Sequence, residues 1–318
     1  MVSRYLHTGL VADPICKLHD TGLGHPECPS RYDAAFRALC AKGLIDHLEK
    51  IPCREALDRE LELCHTPEYI DLVAQETASG ATTLSTGDVE ICPRSLEVCR
   101  YVVGGILNAV DAVCARKVKN AFCLVRPPGH HASADRGMGF CLFNNAALAA
   151  RHAQVEHDIE RVAIIDWDVH HGNGTQDIFY ADDTVLYFSV HQWPLYPGTG
   201  ARHERGAGRG MGTTLNIPLP AGSGREEIFR AFEEELGPAL DRFRPDLIIL
   251  SAGFDSRVDD PLGSFTLTDD DFADLTDWVL RRADDYADGR LLSILEGGYN
   301  LSGLASAVVA HVGQLIEG

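Results

Sequence analysis

The 318-residue chain is expected to be a single α/β domain, a mostly parallel sheet with helices on both faces. From residue 121 onward, short apolar runs rich in β-branched residues alternate with helical patterns, as in βα units. Each of five such runs ends in a polar or glycine-rich group, as at the ligand-binding rim of an open parallel sheet. No linker, internal repeat or low-complexity segment divides residues 1–318, a length near the upper limit for one core.

Residues 8–12 read as the first strand, followed by a polar loop. Pro29-Ser30 is the expected N-cap region of a helix from about Arg31 to Ala41, with Gly43 as its stop. Thr66-Pro67-Glu68 opens a second helix, with proline at an early helical position. Residues 80–93 read as a loop. Residues 95–116 form a long amphipathic pattern whose Gly104-Gly105 pair implies close packing. The remaining strands are expected at 121–125, 162–165, 185–190, 214–217, 247–251 and 291–295, with helices at 145–157, 226–243 and 269–287.

Composition narrows the function. Hydrophobic residues make up 45% of the chain, and the net charge is −19. Such a charge repels phosphate backbones, so nucleic acid is not an expected partner, while cationic substrates are attracted. Ten scattered cysteines without a CxxC pair fit a reducing cytoplasm better than a disulfide framework. The first seven residues hold no apolar leader, and no window approaches a membrane span.

The chemistry centres on the stretch 166–174, DWDVHHGNG, directly after an apolar strand. Asp166, Asp168 and His170 alternate and so share one face of an extended chain. Two carboxylates and an imidazole are costly in a dry interior unless a cation or partner neutralises them, and zinc takes such ligands. A hydrogen-bonded polar turn is the plain alternative. Asp255, at the end of another strand, is the natural third ligand, although alone it would read as a turn or N-cap aspartate. Three protein ligands leave a position for water, the arrangement of a catalytic zinc. His130 and His131 follow the rigid Pro127-Pro128-Gly129 turn and could handle a proton beside the metal; elsewhere they would be solvated loop histidines. Tyr299 follows two glycines, and its hydroxyl could donate to an oxyanion; otherwise it is a half-buried core tyrosine.

These segments together are recognisable. GHPECPSR (24–31), RPPGHH (126–131), GMGFCLFNN (137–145), DWDVHHGNGTQDIFY (166–180), YPGTG (196–200), AGFDS (252–256) with DDPLGS (259–264), and EGGYNL (296–301) resemble the histone deacetylase family. That resemblance implies the arginase/deacetylase fold and a zinc-dependent amidohydrolase that removes acyl groups from an amine. It makes Asp168, His170 and Asp255 the zinc ligands, His131 the general base and acid, and His130 its electrostatic partner. Asp166 would orient His130, Asn173 would orient His131, and Tyr299 would stabilise the oxyanion. A monovalent cation, usually potassium, would lie near Asp166, Asp168, His170, Ser189 and Val190. Gly139, Phe140 and Tyr196 match the acyl-lysine tunnel, and Arg31 matches a loop arginine behind the pocket.

Within the family, Asn173 stands where class I members have Asp, so the chain resembles class II and its bacterial-type members. The helix start at 90–95, EICPRS, is similar to class IIb and places Asp88 in the loop that holds substrate backbone. Leu262 stands where polyamine-selective members have Glu, which favours an acyl-lysine peptide or protein over an acylated small amine. An acetylpolyamine amidohydrolase is the alternative, and a homo-oligomer is allowed. An arginase-type binuclear manganese site is disfavoured because Gly172 stands where its second metal needs a ligand. A non-catalytic binding module would be expected to have lost the tyrosine or a histidine.

Overall fold

The computed structural model describes residues 7–318. The N-terminal residues read for a leader, Met1 to Leu6, lie outside the described residues. In chain order the elements are β1 (Thr8–Ala12), α1 (Pro29–Ala41), β2 (Leu48–Ile51), α2 (Asp58–Leu61), α3 (Pro67–Ser79), α4 (Ser95–Cys114), β3 (Asn120–Leu124), α5 (Asn145–Glu156), β4 (Val162–Asp166), α6 (Asn173–Phe179), β5 (Val185–Gln192), β6 (Thr214–Leu219), α7 (Arg225–Ala231), α8 (Gly237–Phe243), β7 (Leu247–Ala252), α9 (Asp269–Tyr286), β8 (Leu291–Leu295) and α10 (Leu301–Glu317).

The eight strands of the described residues form one sheet in the order β2-β1-β3-β8-β7-β4-β5-β6. Every pairing is parallel. Strand residues alternate in direction, and β3 assigns the two helical layers. Phe122 meets His311 of α10, with ring centroids 5.4 Å apart. Val11, level with Cys123 in the pairing of β1 with β3, faces α4 on the other side. Helices α1, α9 and α10 pack together, as do α4 and α5. Burial on both faces explains why β3, β4, β7 and β8 read as continuous apolar runs.

The expected elements are present, with corrections at their ends. Helix α1 begins at Pro29 with Cys28 as N-cap, so Arg31 lies inside a helix and not on a loop. Strand β5 continues through Gln192, so His191 and Gln192 belong to it and do not follow it. The single helix expected over 226–243 is interrupted by a π turn at Phe232–Leu236. Pro238 has no N–H for residue 234, and the wider turn, in which Gly237 N donates to the Phe232 carbonyl, absorbs that loss. Strand β2 and helices α2, α6 and α10 were not expected. β2 is a short edge strand with exposed Glu49 and Lys50, and α6 begins on an Asn-Gly pair that reads as a turn.

The Gly104-Gly105 pair does mark close packing. A Cβ on Gly104 would overlap the Arg54 carbonyl, and one on Gly105 would lie 2.6 Å from Cys53 Sγ and 2.9 Å from Val11 Cγ1. Gly104→Ala gains roughly 1 kcal/mol of helix propensity. The overpacking it forces costs about 1–3 kcal/mol, against backbone that cannot rotate away. A net loss of stability is therefore expected on urea unfolding, and a variant more stable than its parent would contradict this packing.

Candidate active site

The five polar groups of the sequence converge because their strands are neighbours. They belong to β3, β8, β7, β4 and β5, which occupy consecutive central positions in the sheet. Register then levels the carboxyl ends: Asp166 pairs with Ser189 of β5 and with Ser251 of β7. Asp168, His170 and Asp255 lie just past those ends, and their ligand atoms are all within 4.8 Å of one another. His170 Nδ1 is 3.0 Å from Asp168 Oδ1 and 3.2 Å from Asp255 Oδ2. Backbone N–H groups fix both carboxylates: Gly297 donates to Asp168 Oδ2 at 2.8 Å, and Val169 donates to Asp255 Oδ1 at 2.8 Å. Only glycine fits at 253 and 297, since a Cβ at either place would overlap these carboxylates.

This donor set suits a divalent cation. Asp255 Oδ2 is buried and accepts no hydrogen bond, although it lies near His170. Burial, then the neighbouring Asp168 charge, raises the Asp255 carboxyl to about 7. Such crowding is relieved by a cation held between carboxylates and imidazole. For His170, burial alone would lower the pKa, yet its bond to Asp168 and the nearby Asp255 carboxylate raise it to about 10. A cation here would take the place of that proton.

Two histidines stand beside the trio in different electrostatic states. His130 Nδ1 donates to Asp166 Oδ2 at 3.0 Å. Against the effect of burial, the Asp168 and Asp166 charges raise His130 to about 10. His131, with its ring centroid 4.0 Å from that of His130, is held well below its ordinary value by burial and by the charges of His130 and His170. Its Nδ1 donates to Asn173 Oδ1 at 2.8 Å, while Asn173 Nδ2 donates back to the His131 carbonyl at 3.5 Å. That pairing leaves the lone pair on Nε2. Tyr299 stays a phenol: burial pushes its hydroxyl well above the ordinary value, with Arg31 opposing.

A pocket of about 290 Å³ opens over these groups, lined by Asp88, His131, Gly139, Phe140, His170, Leu195, Tyr196, Leu262 and Tyr299. Its walls match the expected tunnel residues, with Leu195 added. Phe140 meets the Tyr299 ring edge-on at 5.9 Å, and Tyr196 meets His131 at 5.2 Å. Asp88 accepts from Gly139 N at 2.9 Å and from the Tyr196 hydroxyl at 3.1 Å. Ser189 and Val190 are buried next to the site, with Ser189 Oγ 2.9 Å from His191 Nδ1.

Supporting residues escaped the sequence reading. Glu27 accepts from Arg126 at 2.8 Å through each oxygen and from Arg31 at 3.2 Å, all three being buried. Arg31 then donates to the Gly298 and Glu296 carbonyls at 2.7 and 2.5 Å, and its guanidinium lies 5.0 Å from the Tyr299 ring centre. Asp260 accepts from Tyr299 N at 2.7 Å and from Asn300 N at 3.1 Å. Glu296 accepts from Gly129 N at 2.6 Å and from His130 N at 3.2 Å, binding the end of β8 to the histidine turn. Glu27, Asp260 and Glu296 fall inside the quoted segments GHPECPSR, DDPLGS and EGGYNL, but no local pattern assigned them a partner, since each bonds to residues distant in the chain or to backbone N–H groups.

Residues 25–315 match the model of the histone deacetylase domain. The chain belongs to the histone deacetylase family. It is 39% identical to a histone deacetylase-like amidohydrolase of Pseudomonas aeruginosa, across 92% of this chain and 81% of that protein. It is also 39% identical to the human polyamine deacetylase HDAC10, across 92% of this chain but 45% of that protein. The crystal structure of the HDA15 HD domain superposes with a TM-score of 0.93 at 36% identity, covering 98% of this chain and 90% of that one. As a family member the protein is a hydrolase acting on amides, with the arginase/deacetylase fold.

Removing one carboxylate from the Asp168–His170–Asp255 trio should abolish tight metal binding, because two ligands rarely suffice. Asp255→Ala is expected to lose its catalytic-site metal in elemental analysis and most of its activity. Full, tight loading of that site in the variant would reject the ligand assignment.

Proposed function

We propose that this chain is a zinc-dependent amidohydrolase that removes acetyl or other acyl groups from the ε-amine of lysine. The observation that carries this reading is the pocket itself. Its wall is mainly apolar, as an alkyl stem requires, and His131, His170 and Tyr299 are among its lining residues. Zinc held by Asp168, His170 and Asp255 would supply a Lewis acid for the amide carbonyl and the attacking water.

The protein's own groups handle the rest. His131 Nε2 carries a lone pair and lies in the pocket lining, so it takes the proton of the attacking water and returns it to the leaving amine. His130, kept cationic by Asp166 and Asp168, holds positive charge beside the developing negative charge. Tyr299 keeps its proton and donates it as a hydrogen bond to the oxyanion. Gly139, Phe140 and Tyr196 enclose the acyl-lysine stem, and Asp88 holds the substrate backbone at the mouth. Potassium would bind near Asp166, Ser189 and Val190, with Asp168 and His170.

The alternative substrate is an acetylated polyamine. Similarity to a polyamine deacetylase and the net charge of −19 favour it. Leu262 weighs against it. Its side chain lines the pocket, while its backbone N donates to Asp260 Oδ1 at 2.9 Å. An ammonium desolvated against leucine finds no countercharge, whereas a lysine stem packs on it.

Two measurements test these roles. Tyr299→Phe should lower kcat by about 10² to 10³ with KM little changed, since an oxyanion donor acts mainly in the transition state. A near-normal kcat would leave Tyr299 only a packing role. In a hydrolysis panel, the parent should prefer acetyl-lysine peptides, and Leu262→Glu should shift selectivity toward acetylspermidine. A parent enzyme far faster on acetylspermidine than on any acetyl-lysine peptide would overturn the substrate assignment.

A further inference from the structure

Helices α4 and α5 each run into a strand, α4 into β3 and α5 into β4, so both end at the amino edge of the sheet. The catalytic residues sit at the opposite, carboxyl edge. At the far end Asp111 of α4 faces His152 in the last turns of α5 and His157, the C-cap of that helix. His152 Nε2 lies 2.8 Å and His157 Nε2 lies 2.6 Å from the same oxygen, Asp111 Oδ1. The three donor atoms fall within 4.8 Å of one another, the same closeness found in the Asp168–His170–Asp255 trio. They border an open recess of about 490 Å³ that also includes Arg59, Glu60 and Glu156.

We propose that Asp111, His152 and His157 form a second metal site, for a divalent first-row transition ion such as zinc, which ties the end of α4 to the end of α5. Two imidazoles and a carboxylate are a ligand set for such ions, and the recess admits water to complete the coordination. At zinc–ligand distances of about 2.0–2.1 Å, tetrahedral ligand atoms lie about 3.3 Å apart, so the nitrogens must retreat by a few tenths of an ångström. His157 can do this because it lies beyond the last helical residue and is partly exposed. Glu60 is not a further ligand, since both its oxygens accept from Arg54, at 2.6 and 2.7 Å. Three carboxylates against the guanidiniums of Arg54 and Arg59 leave the recess negative before an ion enters.

The competing arrangement has the two Nε2–H groups donating to Asp111 with no ion, and metal stoichiometry separates the two. The protein is stripped with chelator, titrated with zinc by calorimetry, and its bound metal is counted after desalting. The parent should take up two zinc ions per chain. His157→Ala should take up one and keep its amide hydrolysis rate, and zinc should raise the Tm of that variant less than that of the parent. Asp255→Ala should retain the distal ion, which separates this site from the catalytic one. A parent whose zinc is all lost in Asp255→Ala overturns the proposal, as does His157→Ala that binds as many ions as the parent. Because His152 is buried, His152→Gln serves as a second variant, read only by its metal count once circular dichroism confirms folding.

Discussion

Four acidic side chains, Asp166, Asp168, Asp255 and Glu296, are buried within one small volume at the carboxyl ends of β4, β7 and β8. Taking that much negative charge out of water is unfavourable unless each carboxylate is answered by a donor or a cation. The surrounding structure supplies the answers one at a time. Backbone N–H groups from Gly297, Val169, Gly129 and His130 point at carboxylate oxygens. The Asp166 carboxylate takes His130 as its partner. Asp255 Oδ2 and Glu296 Oε1 are left without a donor, and the first of them lies beside Asp168 and His170, where a divalent cation would fit.

The same constraint sorts the two adjacent histidines into unlike states. His130 lies against Asp166 and close to Asp168, so it is held cationic. His131, one residue further, faces Asn173, which offers no charge, and it feels the positive charges of His130 and His170. Neighbouring residues of one type thereby acquire different chemistry from their partners across the sheet. A second buried charge network, Glu27 with Arg31 and Arg126, reaches the backbone around Tyr299. It links the first helix to the turn that places the tyrosine in the pocket lining.

The motifs were legible because their chemistry is local in sequence. Asp166, Asp168 and His170 alternate on one strand end, and the Arg126-to-His131 and Glu296-to-Tyr299 turns carry their own glycines and prolines. The edge strand β2 was not legible, because Glu49 and Lys50 give it a polar look. Helix α6 was missed because Asn173-Gly174 suits a turn as well as a helix start. The break between α7 and α8 needed the observed hydrogen bond across the π turn, since Pro238 alone does not reveal how the ladder will be repaired.

What the sequence determined by itself was the alternation of strands and helices, and the position of each reactive residue at a strand end. Side-chain period and turn chemistry are properties of short segments. Only the tertiary structure decided that β3, β8, β7, β4 and β5 are neighbours, although β8 is the last strand in the chain. Strand order is set by which apolar faces bury together across long sequence separations, which no local pattern encodes. It also decided which carboxylate meets which donor, and so which histidine carries a proton and which a lone pair. Those states follow from desolvation and from charges a few ångströms apart in space, far apart in the chain.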